Sequence, residues 1–307
     1  MQKKPLTYKL IFNDFDHYAV SIKNGNIVHS QLDSGNFKGK LTQVVMESII
    51  ISRHRMNRLV LQEGVGRPGY TTFLFLNNNV HDFFWRAQKL TYNTVGILQG
   101  KMEHRCVTPI NFDGIAISIE DQFMIETSRV LGYPDFIKTI CENESMHIDV
   151  ENKNIIWQFA QGTMQNRLIN FEAYSVEICK LVIRALSKET RNRRVRNVGT
   201  GRSLIFKKAN EIIQDNYKDT LSINSLCKEL NVSERNLRYA FKERSGVSPK
   251  KFIQSFKLNK VRRLLKSGNP DGIGEVANQL GFWHSGQFAS DYKKMFGELP
   301  SDTLFTN

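Results

Sequence analysis

The sequence predicts an α+β protein of two domains, with a β-rich N-terminal part and an all-helical C-terminal part. The chain has 307 residues, which is room for two domains of ordinary size. Short apolar runs separated by turn residues fill the first ~120 positions, and helical periodicity follows them. Near the C-terminal end, two segments share the same residue pattern, which indicates an internal repeat. A content of 40% hydrophobic residues excludes fibrous and fully disordered classes.

The β-rich prediction rests on five apolar or alternating runs. Gly, Asn and Pro clusters separate them, such as the turn material at 33–36, 64–69 and 77–79. Several short strands at this spacing are typical of a sandwich or a barrel. The runs are residues 41–52, 59–61, 72–76, 94–99 and 115–119.

Helical periodicity begins near Glu120 and is clearest over residues 171–186. That helix carries an apolar stripe, for which the sequence leaves two roles open: packing on the β-rich part, or a dimer contact. The stripe consists of Tyr174, Ile178, Leu181, Val182 and Ala185.

The net charge of +13 is concentrated at one end of the chain. Residues 1–187 carry +2 and residues 188–307 carry +11. Such an asymmetry indicates a nucleic-acid-binding module attached to a near-neutral partner domain. Membrane-surface binding would require an amphipathic helix with no core to cover, and the sequence offers none.

The predicted boundaries are a sensor or dimerisation domain at 1–187, a basic linker at 188–202 and a DNA-binding domain at 203–307. The linker is polar and carries five arginines, the last of them Arg202. Two interpretations stay open for it, a solvated connection and a segment that contacts phosphates.

The repeat consists of residues 223–249 and 273–300. Equivalent apolar residues lie 50 positions apart before a turn and 51 positions apart after it, so one inserted residue accounts for the change. Asn231 and Gly281 suit a left-handed turn, and Ser233 suits the N-cap of a second helix. Each copy therefore predicts a helix-turn-helix, a unit whose second helix can enter a major groove.

A helix over residues 250–267 is predicted to join the two copies. It would hold them at a fixed separation, and successive major grooves are ~34 Å apart on one DNA face. The competing interpretation, a helical bundle that binds only protein, has to explain both the repeat and the local charge of +11.

The C-terminal region resembles the AraC/XylS family of bacterial transcription regulators. The resemblance covers about residues 204–307, and Lys257 and Val261 are mild departures from the family pattern. Residues 281–288 are also similar to the branch that contains ethanolamine-operon regulators. The main motifs are Val232-Ser233, Phe241-Lys242, 246–249, Leu264-Leu265, 280–282 and Phe296-Gly297 with Pro300.

The resemblance implies an N-terminal cupin-like barrel with flanking helices, acting as a sensor or dimerisation module. It also implies an activator that binds promoter DNA and works with RNA polymerase, controlled by a small-molecule or protein effector. A homodimer is a further expectation.

In the first copy, the outward-facing candidates for DNA contact are Arg235, Asn236, Arg238, Tyr239 and Lys242. Arginine and asparagine make bidentate contacts to guanine and adenine edges. By the resemblance, Arg235, Arg238 and Tyr239 occupy base-contacting positions, whereas Lys242 is expected at a phosphate.

In the second copy, the candidates are His284, Ser285, Gln287, Ser290 and Lys293. Its outward positions are mostly small, and few of them can make a strong base contact. We therefore expect the first copy to supply most of the sequence discrimination, and the second to supply anchoring and shape readout.

The residues that could suggest an enzyme or a metal site favour neither. The four cysteines, Cys106, Cys141, Cys179 and Cys227, are far apart and indicate reduced thiols. The glycines at 64, 66 and 69 match a dinucleotide fingerprint only in letters, because a strand follows them. The sequence predicts no catalytic residues, no metal and no cofactor.

Two alternatives to a regulator are a DNA-repair enzyme and a nonspecific architectural DNA-binding protein. The repair enzyme would need a reactive cysteine cluster near the N-terminus, and the first cysteine is at 106. The architectural protein would bind without preferring any sequence. No signal or membrane-spanning segment is recognised, which predicts a cytoplasmic protein.

An effector pocket in the N-terminal domain is a further expectation. Arg67, Tyr70 and Arg86 are candidates for orienting an acidic ligand. Several aromatic residues either line such a pocket or fill a core: Phe73, Phe75, Phe83, Phe84, Trp85 and Phe112.

Overall fold

The computed structural model describes residues 6–23, 25–81, 83–85, 88–165, 170–189, 201–217, 221–268 and 272–305. The chain divides into two compact units. The first combines Met1–His29, Lys38–Asn57 and Gln62–Val198, and the second combines Ser30–Phe37, Arg58–Leu61 and Gly199–Asn307. The predicted pairing of a β-rich part with a helical part is confirmed.

The strands form two antiparallel-rich sheets. A seven-stranded sheet has the order β1-β3-β4-β11-β6-β9-β12, and a five-stranded sheet has the order β2-β5-β10-β7-β8. Neither sheet closes on itself among the described strands, so the cupin-like closed barrel is not confirmed. The strands are β1 (Leu6–Phe12), β2 (Gly25–Gln31), β3 (Gly39–Val45), β4 (Ile49–Met56), β5 (Val60–Gly66), β6 (Tyr70–Leu76), β7 (Phe83–Trp85), β8 (Gln88–Leu90), β9 (Thr94–Gln99), β10 (Glu103–Thr108), β11 (Phe112–Glu120) and β12 (Ser145–His147).

Strand β11 lies in the middle of the larger sheet because it is apolar on both faces. It pairs antiparallel with β4 on one side and with β6 on the other. The run predicted at 41–52 is two strands, β3 and β4, since the chain turns where Met46 donates its backbone N–H to Ile49 over 2.9 Å.

The two faces of the larger sheet serve different purposes. Side chains alternate between faces along a strand, so Phe73 and Phe75 lie on one side and Leu74 on the other. The first face belongs to a buried core that also includes residues of four helices. In α5, the stripe residues Ile178 and Val182 are fully buried there, which favours the packing role for that helix. The helices of this unit are α1 (Phe15–Ser21), α2 (Asp121–Val130), α3 (Phe136–Cys141), α4 (Val150–Gln165) and α5 (Phe171–Glu189).

The second unit is helical and is organised around one long helix, α9. Phe252, Ser255, Leu258 and Asn259 on that helix are all nearly inaccessible, so α9 is enclosed by its neighbours. Among the basic residues of α9, Lys250 is exposed, whereas Lys251, Lys257, Lys260 and Arg263 are half-buried. The helices are α6 (Gly201–Asp215), α7 (Ile223–Leu230), α8 (Glu234–Ser245), α9 (Pro249–Lys266), α10 (Gly272–Gln279), α11 (Ser285–Phe296) and α12 (Pro300–Phe305).

A segment from early in the sequence, Ser30–Phe37, completes this helical unit. Asn259 donates to the backbone oxygen of Gln31 over 2.7 Å and accepts from the Gln31 N–H over 3.1 Å. The Gln31 side chain donates in turn to the backbone oxygen of Met295 over 2.8 Å. At Gly297, where φ is +81°, a Cβ would lie 1.9 Å from the Asn36 side chain. These buried polar groups on α9 and α11 are therefore satisfied by the segment.

Most of the predicted basic linker lies outside the described residues; its last two positions, Gly201 and Arg202, begin α6. The predicted domain boundaries stay a prediction. In the described part of the chain, no helix has the length and apolar character needed to cross a membrane.

Candidate nucleic-acid interface

The first helix-turn-helix consists of α7 and α8, and local signals define each of its ends. Ser222 and Ser225 form a reciprocal capping box at the start of α7. Asn231 ends α7 in the left-handed conformation, with φ of +51°, and Ser233 accepts from the Asn236 N–H at the start of α8. The predicted turn and N-cap residues are therefore confirmed.

The second helix-turn-helix, α10 and α11, repeats this geometry with one difference. Gly281 takes the left-handed turn position, with φ of +80°, and left-handed Gly297 ends α11 as Gly246 ends α8. His284 is the N-cap of α11, but its side chain makes no capping hydrogen bond. The two turn residues, Asn231 and Gly281, lie at the predicted offset of 50, and the caps of α8 and α11 lie at the predicted offset of 51.

Aromatic packing fixes each recognition helix on its buried side. The ring of Phe241 on α8 meets Phe206 and Phe252 edge-on, with centroids 5.1 and 5.2 Å apart. On α11, the ring of Tyr292 meets those of Phe288 and Phe296 edge-on, and its hydroxyl lies 2.8 Å from Thr303 Oγ1. Burial raises the pKa of Tyr292 to about 12, so the hydroxyl stays protonated and available as a donor.

All ten residues predicted to contact DNA are exposed. At 100° per residue, Arg235, Tyr239 and Lys242 fall on the face of α8 opposite its buried residues, and Arg238 and Asn236 lie at the two edges of that face. The helix therefore presents three cations and one aromatic ring together.

Short-range contacts hold several of these side chains in place. Arg238 Nη2 lies 2.6 Å from Glu234 Oε1, one helical turn earlier. Arg235 Nη2 lies 3.5 Å from the Tyr239 hydroxyl. Lys242 Nζ donates to the backbone oxygen of Gly246 over 3.0 Å. Such exposed contacts are weak, so a stronger partner such as a base edge or a phosphate can replace them.

The exposed face of α11 displays a different set of groups. The positions that match Arg235, Arg238 and Tyr239 are Gly286, Ala289 and Ser290, at the offset of 51. Gln287 donates to Asp291 over 2.9 Å, and Lys293 is exposed at the position of Lys242. The structure thus brings two equivalent helices to the surface with unequal hydrogen-bonding capacity.

Two exposed residues beside the recognition helices were not among the ten predicted DNA contacts. Trp283 immediately precedes α11 and is 72% exposed, which is unusual for tryptophan. Arg202 on α6 reaches across to α8 and contacts Glu243 and the Tyr239 ring. The position of Trp283 beside the predicted turn could have identified it from the sequence. The contacts of Arg202 could not be identified in this way, because they depend on how α6 packs.

The first unit contains a cavity between its two sheets. Its volume is about 60 Å³, and strands of both sheets line it. The walls are mostly apolar, and three buried histidines supply polar groups. The lining includes Leu74, Phe83, Trp85, Leu98, Phe112, His29, His54, His104, Gln62, Cys106 and Thr108.

The histidines of the cavity are held in defined environments. The Tyr18 hydroxyl lies 2.9 Å from His54 Nδ1, and burial lowers the pKa of His54 to about 4. His54 is therefore a neutral ring at neutral pH. His104 Nε2 lies 3.4 Å from Cys106 Sγ, and burial raises the pKa of that thiol. The imidazole of His54 and the thiol of Cys106 are therefore both uncharged at neutral pH.

Part of the predicted pocket lining coincides with this cavity. Phe83, Trp85 and Phe112 line it, whereas Phe73 and Phe75 belong to the core on the other face of the larger sheet. Arg67 stacks on Tyr70, with its Cζ 4.3 Å from the ring centre, and neither residue lines the cavity. Arg86 lies outside the described residues. Among those described, no group of three His, Cys, Asp or Glu side chains is placed to hold a metal ion.

Comparison with known proteins identifies the class of the second unit. Residues 226–304 match the model of a helix-turn-helix domain family. The chain is 38% identical over 101 residues to XylDLEGF operon transcriptional activator 3 of Pseudomonas putida, an alignment that covers 32% of this chain and 30% of the relative. It is 30% identical over 104 residues to the probable thc operon regulatory protein of Rhodococcus erythropolis, covering 33% and 31%.

Two solved structures are also among those to which the chain is similar. A probable AraC family transcriptional regulator from Rhodopseudomonas palustris is 33% identical with a TM-score of 0.31, and the match covers 33% of this chain and 94% of that one. The AraC-like transcriptional activator CuxR matches 86% of this chain and 96% of its own at 13% identity, with a TM-score of 0.43.

The second unit is thus a DNA-binding domain of the helix-turn-helix class. The chain belongs through this region to the AraC/XylS family of transcription regulators. The alignment spans less than a third of the length of the first curated relative.

Proposed function

We propose that the protein is a sequence-specific DNA-binding transcription regulator and not an enzyme, since its relatives are named regulators and activators. The observation that carries the proposal is the exposed face of α8, where Arg235, Arg238, Tyr239 and Lys242 point away from the core. In the proposal, Arg238 and Arg235 read base edges, Tyr239 packs on the base or sugar, and Lys242 meets a phosphate.

The second recognition helix has a supporting role in this proposal. Exposed residues at the start of this helix and along it anchor the domain in an adjacent groove and respond to DNA shape. They are His284, Ser285, Gln287, Ser290 and Lys293. Arg238 leaves Glu234 for a base edge when DNA binds, since a bidentate base contact is stronger than an exposed ion pair.

A selection experiment tests sequence-specific binding. Random duplexes are enriched on the purified full chain, and the enriched pool is sequenced. A regulator yields a defined consensus, with half-sites about one helical turn apart. An architectural DNA-binding protein, the alternative function, yields no consensus while its affinity still falls steeply with salt.

The cavity of the first unit is the proposed effector site. Its apolar walls and the neutral imidazole of His54 favour a compact, mostly apolar molecule with one or two hydrogen-bonding groups. The cupin-like description of this domain and its sensor role belong to the same proposal. To test the proposed effector site, the protein is purified from its host, and any small molecule that it retains is extracted and identified by mass spectrometry. Ala116→Leu, which fills the cavity, should abolish the retained molecule and leave DNA binding in place.

Further proposals concern the regulatory role, the partners, the location and the family branch of the protein. They are activation, contact with RNA polymerase, a homodimer, a cytoplasmic location and membership of the ethanolamine-operon branch. A promoter-reporter assay with and without the chain reads the sign of regulation. Sedimentation of the full chain with and without its DNA site reads the oligomeric state.

A further inference from the structure

The first turn of α6 places an arginine beside the first recognition helix. Arg202 Nη1 lies 2.8 Å from Glu243 Oε2 on α8, and its Cζ lies 5.3 Å from the centre of the Tyr239 ring. Arg202 lies outside residues 226–304, the part of the chain that matches the helix-turn-helix family. Half of its side chain, 51%, is still exposed.

Tyr239 receives a second guanidinium at the same site. Arg235 Cζ lies 5.5 Å from the centre of the ring. The group thus combines two cations with the single carboxylate of Glu243, and it keeps a net positive charge on the exposed edge of α8. An arginine held by an ion pair and a ring loses less rotamer freedom when it binds a further partner.

We infer that Arg202 contacts a DNA phosphate beside the groove that α8 enters, so that the DNA-binding surface extends onto α6. A helix in the major groove is flanked by phosphates, and the planar five-donor guanidinium suits a phosphate oxygen pair. The inference rests on the proposed function, since it assumes that α8 faces DNA. Glu243 orients Arg202 and repels the same phosphate.

Salt dependence of binding tests the inference, because each phosphate contact contributes to counterion release. The dissociation constant of the full chain for its selected duplex is measured from 50 to 250 mM salt. Arg202→Ala should reduce the slope of log Kd against log salt by ~0.9 and weaken binding ~3- to 10-fold at all sequences alike. Arg202→Lys should retain most of the slope. Lys207→Ala is the matched control, because Lys207 lies on the same helix and pairs with Glu211.

A second variant separates a phosphate contact from a merely structural ion pair. Glu243→Gln removes the carboxylate that holds Arg202 and also a negative charge near the DNA. A phosphate contact predicts opposite effects: weaker binding for Arg202→Ala and equal or tighter binding for Glu243→Gln. If the ion pair is only structural, both variants should unfold at a lower temperature and both should bind DNA less well.

The inference is overturned by an unchanged slope in Arg202→Ala, or by a loss confined to particular bases, which would indicate positioning of Tyr239. Failure of the proposed function gives a different result. A wild-type chain that selects no sequence refutes the proposed function, while the salt slopes on random duplex still show whether Arg202 contacts phosphate.

Discussion

Helices α8 and α11 begin and end at equivalent backbone positions, yet one exposes three cations and a tyrosine where the other exposes glycine, alanine, serine and one lysine. The turns before them use Asn231 and Gly281, and the caps after them are left-handed glycines. The frame is therefore set by turns, caps and buried aromatics, and these leave the outward face free to vary. A duplicated fold need not have a duplicated function.

The largest effect that could break this comparison concerns the outward face. Arg238→Ala should weaken specific binding by about 1–3 kcal/mol, roughly 5- to 150-fold, and relax the preferred bases, because a bidentate base contact is lost. Ser290→Ala on α11, at the position that matches Tyr239, should change the dissociation constant less than about twofold. Titration of labelled duplex and repeated selection measure both.

Both substitutions lie at exposed positions, so unfolding curves should coincide with that of the wild-type chain. Equal losses of specificity at the two positions would show that α11 reads bases as strongly as α8, and the asymmetry would then be only one of composition.

A gain of function sharpens the same comparison. Gly286 matches Arg235, and a Cβ added there meets open space. Gly286→Arg should therefore tighten binding about 3- to 10-fold and add a preferred base to the second half-site, since a good base contact contributes ~1–3 kcal/mol before side-chain entropy is lost.

Gly286→Ala is the control for that gain. It removes the cost of a helical glycine, about 1 kcal/mol, without adding a hydrogen-bonding group. A gain in affinity as large in the alanine variant would assign the effect to helix stability and not to base contact.

The smallest expected effect is on stability. It tests the N-caps of α8 and α11, which differ in their capping hydrogen bonds. Ser233 caps α8 through its side chain, whereas His284 makes no capping bond. Ser233→Ala should lower the free energy of unfolding by about 1 kcal/mol, and His284→Ala should leave it nearly unchanged. Urea unfolding followed by circular dichroism measures both. A loss of the same size for His284→Ala would mean that the two caps are equivalent.

The sequence predicted the features of the second unit that depend on neighbouring residues. The repeat offsets, the left-handed turns at Asn231 and Gly281 and the cap at Ser233 are all local signals, and the structure confirms them. The exposure of Arg238 and Ser290 followed from the same periodicity, which assigns buried and exposed faces once a helix is recognised.

Features that depend on long-range packing could not be predicted. Arg202 was assigned to a linker, because only the packing of α6 against α8 shows that it touches Tyr239. The cavity takes His29, His54 and His104 from strands that are distant in sequence. The strand spacing left a sandwich and a barrel open, and the cupin-like barrel came from the family resemblance; the described strands form two sheets. Strand periodicity determines which face a residue occupies but not which strands become neighbours.

The contact between Gln31 and Asn259 joins residues separated by 228 positions, and it has a consequence for how the molecule is made. Translation proceeds from the N-terminus at about 5–20 residues per second, so Ser30–Phe37 leaves the ribosome roughly 10–50 s before α9 exists to receive it. Final assembly of the DNA-binding unit therefore waits for nearly the whole chain, and an arrested or truncated product would not bind DNA prematurely as a complete unit.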